Sequence, residues 1–459
     1  MVDSQKLNEL LKSEAFVGKD TRDPLHEAFA VETVAGHPGG MPRKPAEPKD
    51  FQMMWNDAVS QPGKDPDRSI YIHTPFCRLR CLYCGFFKNF KDIERQDQYV
   101  MHLLKEINTA GKQPYVQGEP IKSIYFGGGT PGVLRPEQIR ELLQALKDNA
   151  PIAPDCEITF ETSICDLDDD QITACLDGGV NRFSFGVQTF DTKIRRSMGR
   201  PDDKDTLRNR LNEISTMQDQ ATVVIDLIYG FPGQTAAHWQ EDLEIAIASS
   251  IHGLDTYSLK VFPGSLLDQA IQKGDLPKEA DRATQADMYV QAVQTLEKAG
   301  LRKLSVCHWG RFDMKEHSRY NRMSKSGAAC IPFGAGGGGN IDGMSVMLQG
   351  DVDKYEAMVE EGLKPISFAS PVTPFHKLCG RVRGDMDQGF LSLGDLDAEF
   401  KLPVSGYLTP LFDVWERRGL VNRAMDRIDL TLAGQVWNVE MTRSVIGFLQ
   451  MQLNSKTGK

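Results

Sequence analysis

Short apolar runs alternate with longer amphipathic stretches from Ser69 onward, and this alternation limits the fold more than any other feature of the sequence. The intervening stretches, such as residues 98–110 and 136–149, place apolar side chains at helical spacing. Such alternation is typical of βαβ units around a parallel sheet. Six short runs predict the strands, at residues 69–73, 123–126, 157–161, 182–186, 223–229 and 255–261.

Six strand–helix units are too few for the usual eight-stranded barrel. We therefore predict an α/β fold, a partial (β/α)6 TIM-like barrel over residues 69–373 that includes a glycine-rich elaboration. In such barrels the chemistry lies in loops at the C-terminal ends of the strands. Residues 374–459 end in a predicted hairpin and helix, which favours a small winged-helix-like domain. Because this domain has no basic stripe, we interpret it as a packing or lid domain rather than a DNA-binding one.

Residues 1–68 form a predicted N-terminal extension that is rich in proline, glycine and charge. We expect short helices near residues 3–16 and 50–59, joined by extended chain. Two interpretations of the extension stay open at this point. It covers the active site, or it is a tail that keeps the protein soluble.

Composition excludes several classes of protein. The net charge of −10 argues against nucleic acid as a partner, and no window approaches the ~18 apolar residues of a membrane span. The N-terminus has no basic start followed by an apolar run, so we predict a cytoplasmic protein. Nine cysteines, an odd number spread along the chain, do not resemble a disulfide framework.

Three of the cysteines are clustered directly after the first predicted strand. Cys77, Cys81 and Cys84 form a C-x3-C-x2-C loop. Iron–sulfur clusters are usually held by four cysteines, and here the next one is distant, at Cys156. The loop therefore predicts a cluster with one iron left open. A zinc site with His73 as a fourth ligand is the alternative, although zinc motifs usually contain two ligand pairs.

The stretch YIHTPFCRLRCLYCGFF, residues 71–87, resembles the HemN-type branch of the radical S-adenosylmethionine (SAM) superfamily. That branch contains oxygen-independent coproporphyrinogen dehydrogenases, HemW heme chaperones and the ChuW and HutW anaerobic heme-degrading enzymes. The resemblance implies a [4Fe-4S] cluster whose open iron binds SAM, and a deoxyadenosyl radical formed by one-electron cleavage. It covers about residues 65–450 and is strongest over residues 69–263.

The resemblance also implies SAM-binding residues near the ends of successive strands. Glu161 and Gln188 would bind the ribose, and the Arg200 guanidinium can donate two parallel hydrogen bonds to the SAM carboxylate. Asp226 lies in an apolar strand and needs polar partners, which are SAM groups or a structural hydrogen bond. The full predicted set is Tyr71, Tyr83, Gly127, Gly128, Gly129, Thr130, Glu161, Gln188, Arg200 and Asp226.

Several features resemble the ChuW and HutW group of heme-degrading methyltransferases. They are the residues around the cysteine loop, the segment at 258–271 and the segment CHWGRFDMKEHSRYN at 307–321. The resemblance implies heme as substrate, two SAM molecules per active site, ring opening and iron release. Residues 334–339, a glycine run, are predicted to approach the second SAM. Aromatic and basic side chains suit a macrocycle with propionates, so the predicted substrate residues are His308, Arg311, His317 and Tyr320.

Two alternatives within the branch remain. Coproporphyrinogen III dehydrogenases carry a further cysteine two residues after the third cluster cysteine, where this chain has Phe86. HemW-like chaperones begin almost directly at the first strand, whereas this chain has an extension before it. Any cluster enzyme of this type implies a low-potential electron donor, either flavodoxin or an NADPH-dependent reductase. A heme-delivery protein is a further implied partner.

The cysteine assignment leads to a spectroscopic prediction. Anaerobically reconstituted protein should show iron–sulfur charge-transfer absorption, and replacing Cys77, Cys81 and Cys84 by Ala should abolish it because no thiolates remain to hold iron. Visible absorption and iron content measure this. A normal cluster in the triple variant would contradict the assignment.

Overall fold

The fold is described from a computed structural model, over residues 4–30, 35, 44–217, 219–312, 315–341, 343–373 and 375–457. The strands are β1 Arg68–Thr74, β2 Phe76–Cys77, β3 Asn89–Phe90, β4 Ile121–Gly128, β5 Ile152–Ser163, β6 Arg182–Gln188, β7 Thr222–Tyr229, β8 Gly253–Ser258, β9 Leu301–Lys303, β10 His308–Arg311, β11 Ala329–Phe333, β12 Gly338–Ile341, β13 Met344–Leu348, β14 Ile366–Pro371, β15 Phe390–Ser392, β16 Val421–Ala424 and β17 Arg427–Leu430.

Helices cover the outside of the sheet and build the C-terminal part. They are α1 Ser4–Leu10, α2 Glu14–Val17, α3 Pro24–Glu27, α4 Phe51–Val59, α5 Ile93–Ala110, α6 Pro136–Asn149, α7 Asp169–Asp177, α8 Thr192–Ser197, α9 Lys204–Ser215, α10 Ala236–Ala248, α11 Leu266–Lys273, α12 Arg282–Lys298, α13 Arg319–Lys325, α14 Val352–Glu360, α15 His376–Asp387, α16 Leu393–Phe400, α17 Val404–Arg417, α18 Leu432–Val436 and α19 Asn438–Thr457. None of these helices is long and apolar enough to cross a membrane.

The six predicted strands are neighbours in one parallel arrangement, in the order β1, β4, β5, β6, β7 and β8. Helices separate them, and α6 buries the face that the periodicity predicted, with Ile139, Leu142, Leu143 and Leu146 inside. The sheet curves but stays open, since further strands extend both edges instead of closing it. The partial barrel is therefore confirmed.

The strands at the two edges were not predicted. On one side β11 pairs parallel to β1, and β12, β13 and β14 continue antiparallel. On the other side β10 and β9 follow β8 antiparallel. The glycine run packs against β1: Gly334 has a φ of 86° and donates its backbone N–H to Glu106 Oε2 at 2.9 Å. A Cβ at Gly336 would lie 3.2 Å from His73 Nε2, so the lack of a side chain permits this approach.

The C-terminal part has the element order expected for a winged helix. Helix α15 is followed by β15, by α16 and α17, and by the β16–β17 hairpin, and the three strands form one small sheet. Helix α19 then packs on α15 and α17. This confirms the predicted hairpin and terminal helix, while the exact domain boundaries remain a prediction.

The described part of the N-terminal extension hydrogen-bonds to the C-terminal helices and to the edge of the sheet. Trp415 Nε1 donates to the Val17 carbonyl at 3.0 Å, and Trp437 Nε1 donates to the Pro24 carbonyl at 2.8 Å. Further along, the Ala46 amide donates to the Ala369 carbonyl of β14 at 2.8 Å. Residues 31–34 and 36–43 lie outside the described part of the chain, so the predicted cover over the active site is not tested there.

A buried ionic network fills part of the barrel interior. Arg182 Nε lies 3.0 Å from Glu316 Oε2, and His308 Nε2 lies 2.9 Å from Glu316 Oε1. His308 Nδ1 lies 2.7 Å from Asp255 Oδ1. Burial alone would lower the pKa of His308, but the two carboxylates outweigh it and raise that pKa to about 9. His308 is therefore a charged component of the barrel core at neutral pH.

Replacing His308 by Asn should destabilise the fold by about 3 kcal/mol, because both buried carboxylates lose the charge of His308, although Arg182 still pairs with Glu316. The pKa of His308 rises on folding from 6.5 to about 9. Its stabilising contribution is thus complete below pH 6.5 and is lost as the pH rises through about 9. Urea unfolding of both proteins at about pH 6 and about pH 10 measures this. The exposed His317→Asn variant is the control, and a stability difference that does not shrink at high pH would refute the charged His308.

Candidate active site

A cavity of about 350 Å³ opens at the C-terminal ends of the barrel strands, where a barrel of this type places its chemistry. The cysteine loop forms one wall, and the ends of β4 to β8 with their following loops form the rest. The predicted residues that line it are Cys77, Cys81, Tyr83, Cys84, Gly128, Gly129, Thr130, Glu161, Gln188, Arg200 and Asp226.

The cysteine loop lies against the end of β4. The Gly129 amide donates to the Thr74 carbonyl at 2.6 Å, and a Cβ at Gly129 would lie 3.0 Å from Cys77 Sγ. Glycine at this position therefore lets the strand end approach the loop closely. Burial raises the pKa of the Cys77 thiol to about 11. A thiolate there needs a cationic partner such as iron, so this donor set fits a bound cluster.

The zinc alternative has no support in the geometry. Within the described ranges, no three His, Cys, Asp or Glu side chains converge on a single metal ion. The three thiols instead line one wall of the cavity, which suits a cluster of several atoms. His73 hydrogen-bonds to the Tyr71 hydroxyl at 3.2 Å through Nδ1, and burial together with the nearby Lys88 lowers the pKa of His73 to about 4. His73 is thus a neutral packing residue.

Arg200 joins the cysteine loop to the barrel. Its Nη2 donates to the Gly186 carbonyl at 2.6 Å and to Ser163 Oγ at 3.0 Å. Its Nη1 donates to the Tyr83 hydroxyl at 3.1 Å and lies 3.8 Å from Cys81 Sγ. The guanidinium therefore fixes the loop over the strand ends and also places a positive charge on the cavity wall.

Polar groups project into the cavity from three neighbouring strands. Gln188 has a φ of 75°, rare for a residue other than glycine, and its buried Oε1 has no hydrogen-bond partner among the described residues. Such a strained, unsatisfied residue at a strand end indicates a ligand-binding position. Burial raises the pKa of Glu161. Burial and the adjacent Asp255 and Glu161 raise the pKa of Asp226 well above its usual value, and Ser184 Oγ donates to Asp226 Oδ1 at 3.4 Å.

Two predicted SAM residues lie just beneath the cavity. A Cβ at Gly127 would lie 2.9 Å from Glu161 Oε2, so Gly127 makes room for that carboxylate. Tyr71 stacks on Tyr125, with ring centroids 6.2 Å apart, and Tyr125 stacks on Tyr320 at 4.5 Å. Tyr320, predicted as a substrate residue, is thus part of an aromatic stack inside the barrel.

The other predicted substrate residues lie away from the cavity as well. His308 belongs to the interior ionic network described above. Arg311 donates through Nη2 to the Ile247 and Ser249 carbonyls at 2.7 and 2.6 Å, which caps the C-terminal end of α10. His317 is exposed and does not line the cavity. Because their polar groups are engaged or distant, the positions of these residues do not support direct substrate contact.

The sequence analysis missed the residues at the mouth of the cavity. The predicted strand at 255–261 ends at Ser258, and the residues after it turn across the opening. The segment at 258–271 could have identified these residues, because it resembles the heme-degrading group. None of its residues was predicted as a site residue. The additional mouth residues are Phe86, Phe87, Tyr257, Lys260 and Phe262.

Comparisons with known proteins show the family of the chain. Residues 71–246 match the pattern of the radical SAM superfamily. Anaerobilin synthase of Escherichia coli O157:H7 is 33% identical over 409 residues, which span 89% of this chain and 90% of that protein. The heme chaperone HemW of Bacillus subtilis is 28% identical over 395 residues, which span 83% of this chain and 100% of that protein.

A solved structure shares the fold. Coproporphyrinogen III oxidase (HemN) from Escherichia coli superposes with a TM-score of 0.75, covering 91% of this chain and 97% of that one, at 20% sequence identity. The cysteine loop and the fold are consistent with the similarity to anaerobilin synthase, which extends over nearly the whole chain. The chain therefore belongs to the HemN-like radical SAM enzymes, in the family that contains anaerobilin synthase.

Proposed function

We propose that the protein is a radical SAM methyltransferase that opens the porphyrin ring of heme under anoxic conditions, releasing iron and giving a methylated linear tetrapyrrole. The observation that carries this proposal is the 33% identity to anaerobilin synthase over 89% of the chain, together with the cavity that gathers the cysteine loop and the strand-end residues. The reaction needs a reduced [4Fe-4S] cluster, one SAM at that cluster and a second SAM.

The residues of the cavity fit these cofactors. Cys77, Cys81 and Cys84 would hold three irons, and the cluster and SAM, when bound, supply one-electron cleavage of a sulfonium bond and the methyl carbon. Arg200 fixes the loop and offers a cation to the SAM carboxylate. The unsatisfied Gln188 Oε1 would accept a hydrogen bond from a ribose hydroxyl, and the Asp226 carboxyl, which also lines the cavity, would make a further polar contact with SAM.

The mouth of the cavity fits a flat apolar macrocycle that carries carboxylates. The Phe86 ring is 69% exposed and the Phe262 ring 38% exposed, and both line the cavity. Lys260 Nζ lies 5.3 Å from the Phe262 ring centroid. A Cβ at Gly85 would lie 3.2 Å from Phe262 Cε2, so the ring lies against the cysteine loop. Aromatic faces would stack on the porphyrin and exclude water, and Lys260 would pair with a propionate.

Two other activities fit the cavity less well. The decarboxylating coproporphyrinogen enzymes carry a thiol where this chain has the exposed ring of Phe86. A HemW-like chaperone shares the radical SAM branch, and it has less support because the identity to HemW is 28%, against 33% to anaerobilin synthase. Both alternatives can be separated from ring opening by following the fate of the bound porphyrin.

Reconstituted protein should consume heme under anoxia with SAM and a low-potential reductant. The heme Soret band should disappear, iron should be released and mass spectrometry should show a linear product heavier by one carbon unit. Coproporphyrinogen III, offered in competition, should remain unchanged. Heme that stays bound and intact through repeated turnovers would establish the chaperone alternative, and decarboxylation of coproporphyrinogen would establish the dehydrogenase alternative.

Reversing the charge at the mouth should weaken heme binding selectively. Lys260→Glu should raise the KM for heme about tenfold, since the attraction of one propionate becomes repulsion, and should leave the KM for SAM within about twofold. Steady-state kinetics with each substrate varied in turn measure both values. The matched control is Lys298→Glu at the exposed end of α12, and equal heme KM values for the two variants would exclude the proposed propionate contact.

A further inference from the structure

The end of β6 that carries Gln188 has an unusual backbone. The pairing of β6 with β7 shifts register between Gly186 and Gln188, as at a β-bulge. Gln188 then has a φ of 75°, a conformation that side chains other than glycine resist. Such a residue keeps its conformation only where surrounding groups hold it. Two buried side chains that do not line the cavity, Arg195 and Asp242, do so here.

Arg195 of α8 binds the chain on both sides of Gln188. Its Nη1 donates to the Val187 carbonyl at 2.6 Å and to the Thr189 carbonyl at 3.0 Å. Its Nε donates to the Asp202 carbonyl at 2.9 Å, which fixes the guanidinium itself. Because one nitrogen binds the carbonyls before and after Gln188, it restricts the backbone conformation between them.

Asp242 of α10 holds the residues that follow. Its Oδ1 accepts a hydrogen bond from the Phe190 amide at 2.7 Å, and its Oδ2 accepts one from Thr189 Oγ1 at 2.8 Å. Gln234 Nε2 also donates to Oδ2, at 3.3 Å, so the carboxylate is itself fixed by the loop after β7. Asp242 therefore holds the chain just past the strained residue, from a different helix than Arg195.

The Arg195 guanidinium is costly to bury. Its Nη2 has no hydrogen-bond partner in the described part of the chain and lies 3.8 Å from Asp202 Oδ2. Burial and the nearby Arg200 lower the pKa of Arg195 to about 10, which leaves it charged at neutral pH. Apolar side chains often replace buried charges without loss of stability. What an apolar side chain cannot supply is the pair of hydrogen bonds around Gln188.

Gln188 lies beside a group that the proposed function assigns to SAM. A Cβ at Gly186 would lie 2.8 Å from Gln188 Nε2, so the Gln188 amide lies against this glycine. The Gly186 carbonyl accepts a hydrogen bond from Arg200 Nη2 at 2.6 Å. Gln188 and Arg200 both line the cavity and are therefore neighbours on its wall. A change in the backbone at Gln188 would move its amide relative to the guanidinium.

We propose that Arg195 and Asp242 are positioning residues, which hold the Gln188 side chain in the place where it binds SAM. Both act through the backbone of residues 187–190. The proposal rests on the proposed contact between Gln188 and SAM, and it is independent of heme as the substrate.

Equilibrium dialysis of reconstituted protein with SAM, under anoxia and without reductant or heme, tests this role. Gln188→Ala tests the contact itself and should raise the Kd for SAM about tenfold. Arg195→Met should raise that Kd by a similar factor, because the two carbonyls lose their donor and the strained backbone relaxes. In the Gln188→Ala background, Arg195→Met should change the Kd by less than about twofold, since the group that it positions is gone.

SAM cleavage provides a second measurement. With dithionite and without heme, Arg195→Met should raise the KM for SAM about tenfold and keep the kcat of deoxyadenosine formation within about twofold. Arg195→Lys should give an intermediate Kd, because a lysine cannot donate to the same carbonyls with a fixed planar group. Asp242→Asn should also raise the Kd, since one carboxylate oxygen is replaced by a donor.

The exposed residues Arg196 of α8 and Glu241 of α10 provide matched controls. Arg196→Met and Glu241→Gln should keep the Kd for SAM within about twofold of the wild-type value. Iron content and thermal unfolding show which variants are folded. If Arg195→Met does not fold, the same comparison in the Gln188→Ala background is made with Arg195→Lys and Asp242→Asn.

Two results would overturn the positioning role alone. One is an unchanged Kd for SAM in the Arg195 and Asp242 variants when Gln188→Ala weakens binding. The other is a loss that persists in full in the Gln188→Ala background, because Arg195 would then act on the structure in general. An unchanged Kd in Gln188→Ala would instead remove the SAM contact, and the positioning role with it. Heme turnover is measured separately and is unaffected by any of these results.

Discussion

The active site depends on the Arg200 guanidinium, which holds the cysteine loop against the ends of the barrel strands. Its four contacts reach Tyr83 and Cys81 on the loop and Ser163 and Gly186 on β5 and β6. Cys77 lies in β2, but residues 78–88 have no regular structure that would fix Cys81 and Cys84. Bidentate donation from a rigid planar group supplies that order, and a lysine could not make the same set of contacts.

The barrel interior beneath the site is unusually polar. The interior of a closed barrel is normally filled by branched apolar residues, whereas here Arg182, Glu316, His308 and Asp255 form a continuous ionic network. Such a network stabilises little relative to apolar packing, but it is costly to break. The network also determines the electrostatic surroundings of Asp226, because its member Asp255 pairs with Asp226 across neighbouring strands. The pKa of Asp226 therefore depends on its burial and on a carboxylate of the neighbouring strand.

The sequence predicted those parts of the molecule whose position follows from local pattern. The six parallel strands have clear apolar runs. Glu161, Gln188 and Arg200 were predicted together from the resemblance to the HemN-type branch, and all three line the cavity. The glycine-rich strands carry no such periodicity and were missed. The ion pair of His308 could not be predicted, because its partner Asp255 is 53 residues away in the chain. A polar residue in an irregular segment gives no sign of whether it faces a ligand or the core.

Phe86 shows how one position can separate related chemistries on one fold. It lies two residues after Cys84, and its amide donates to Cys84 Sγ at 3.3 Å, so its backbone is part of the cluster environment. Its side chain, however, lines the cavity, as does that of Phe262, which lies against Gly85. A thiol at this position would offer a reactive hydrogen near the cluster. An aromatic ring instead offers an inert face, which suits the flat substrate proposed above.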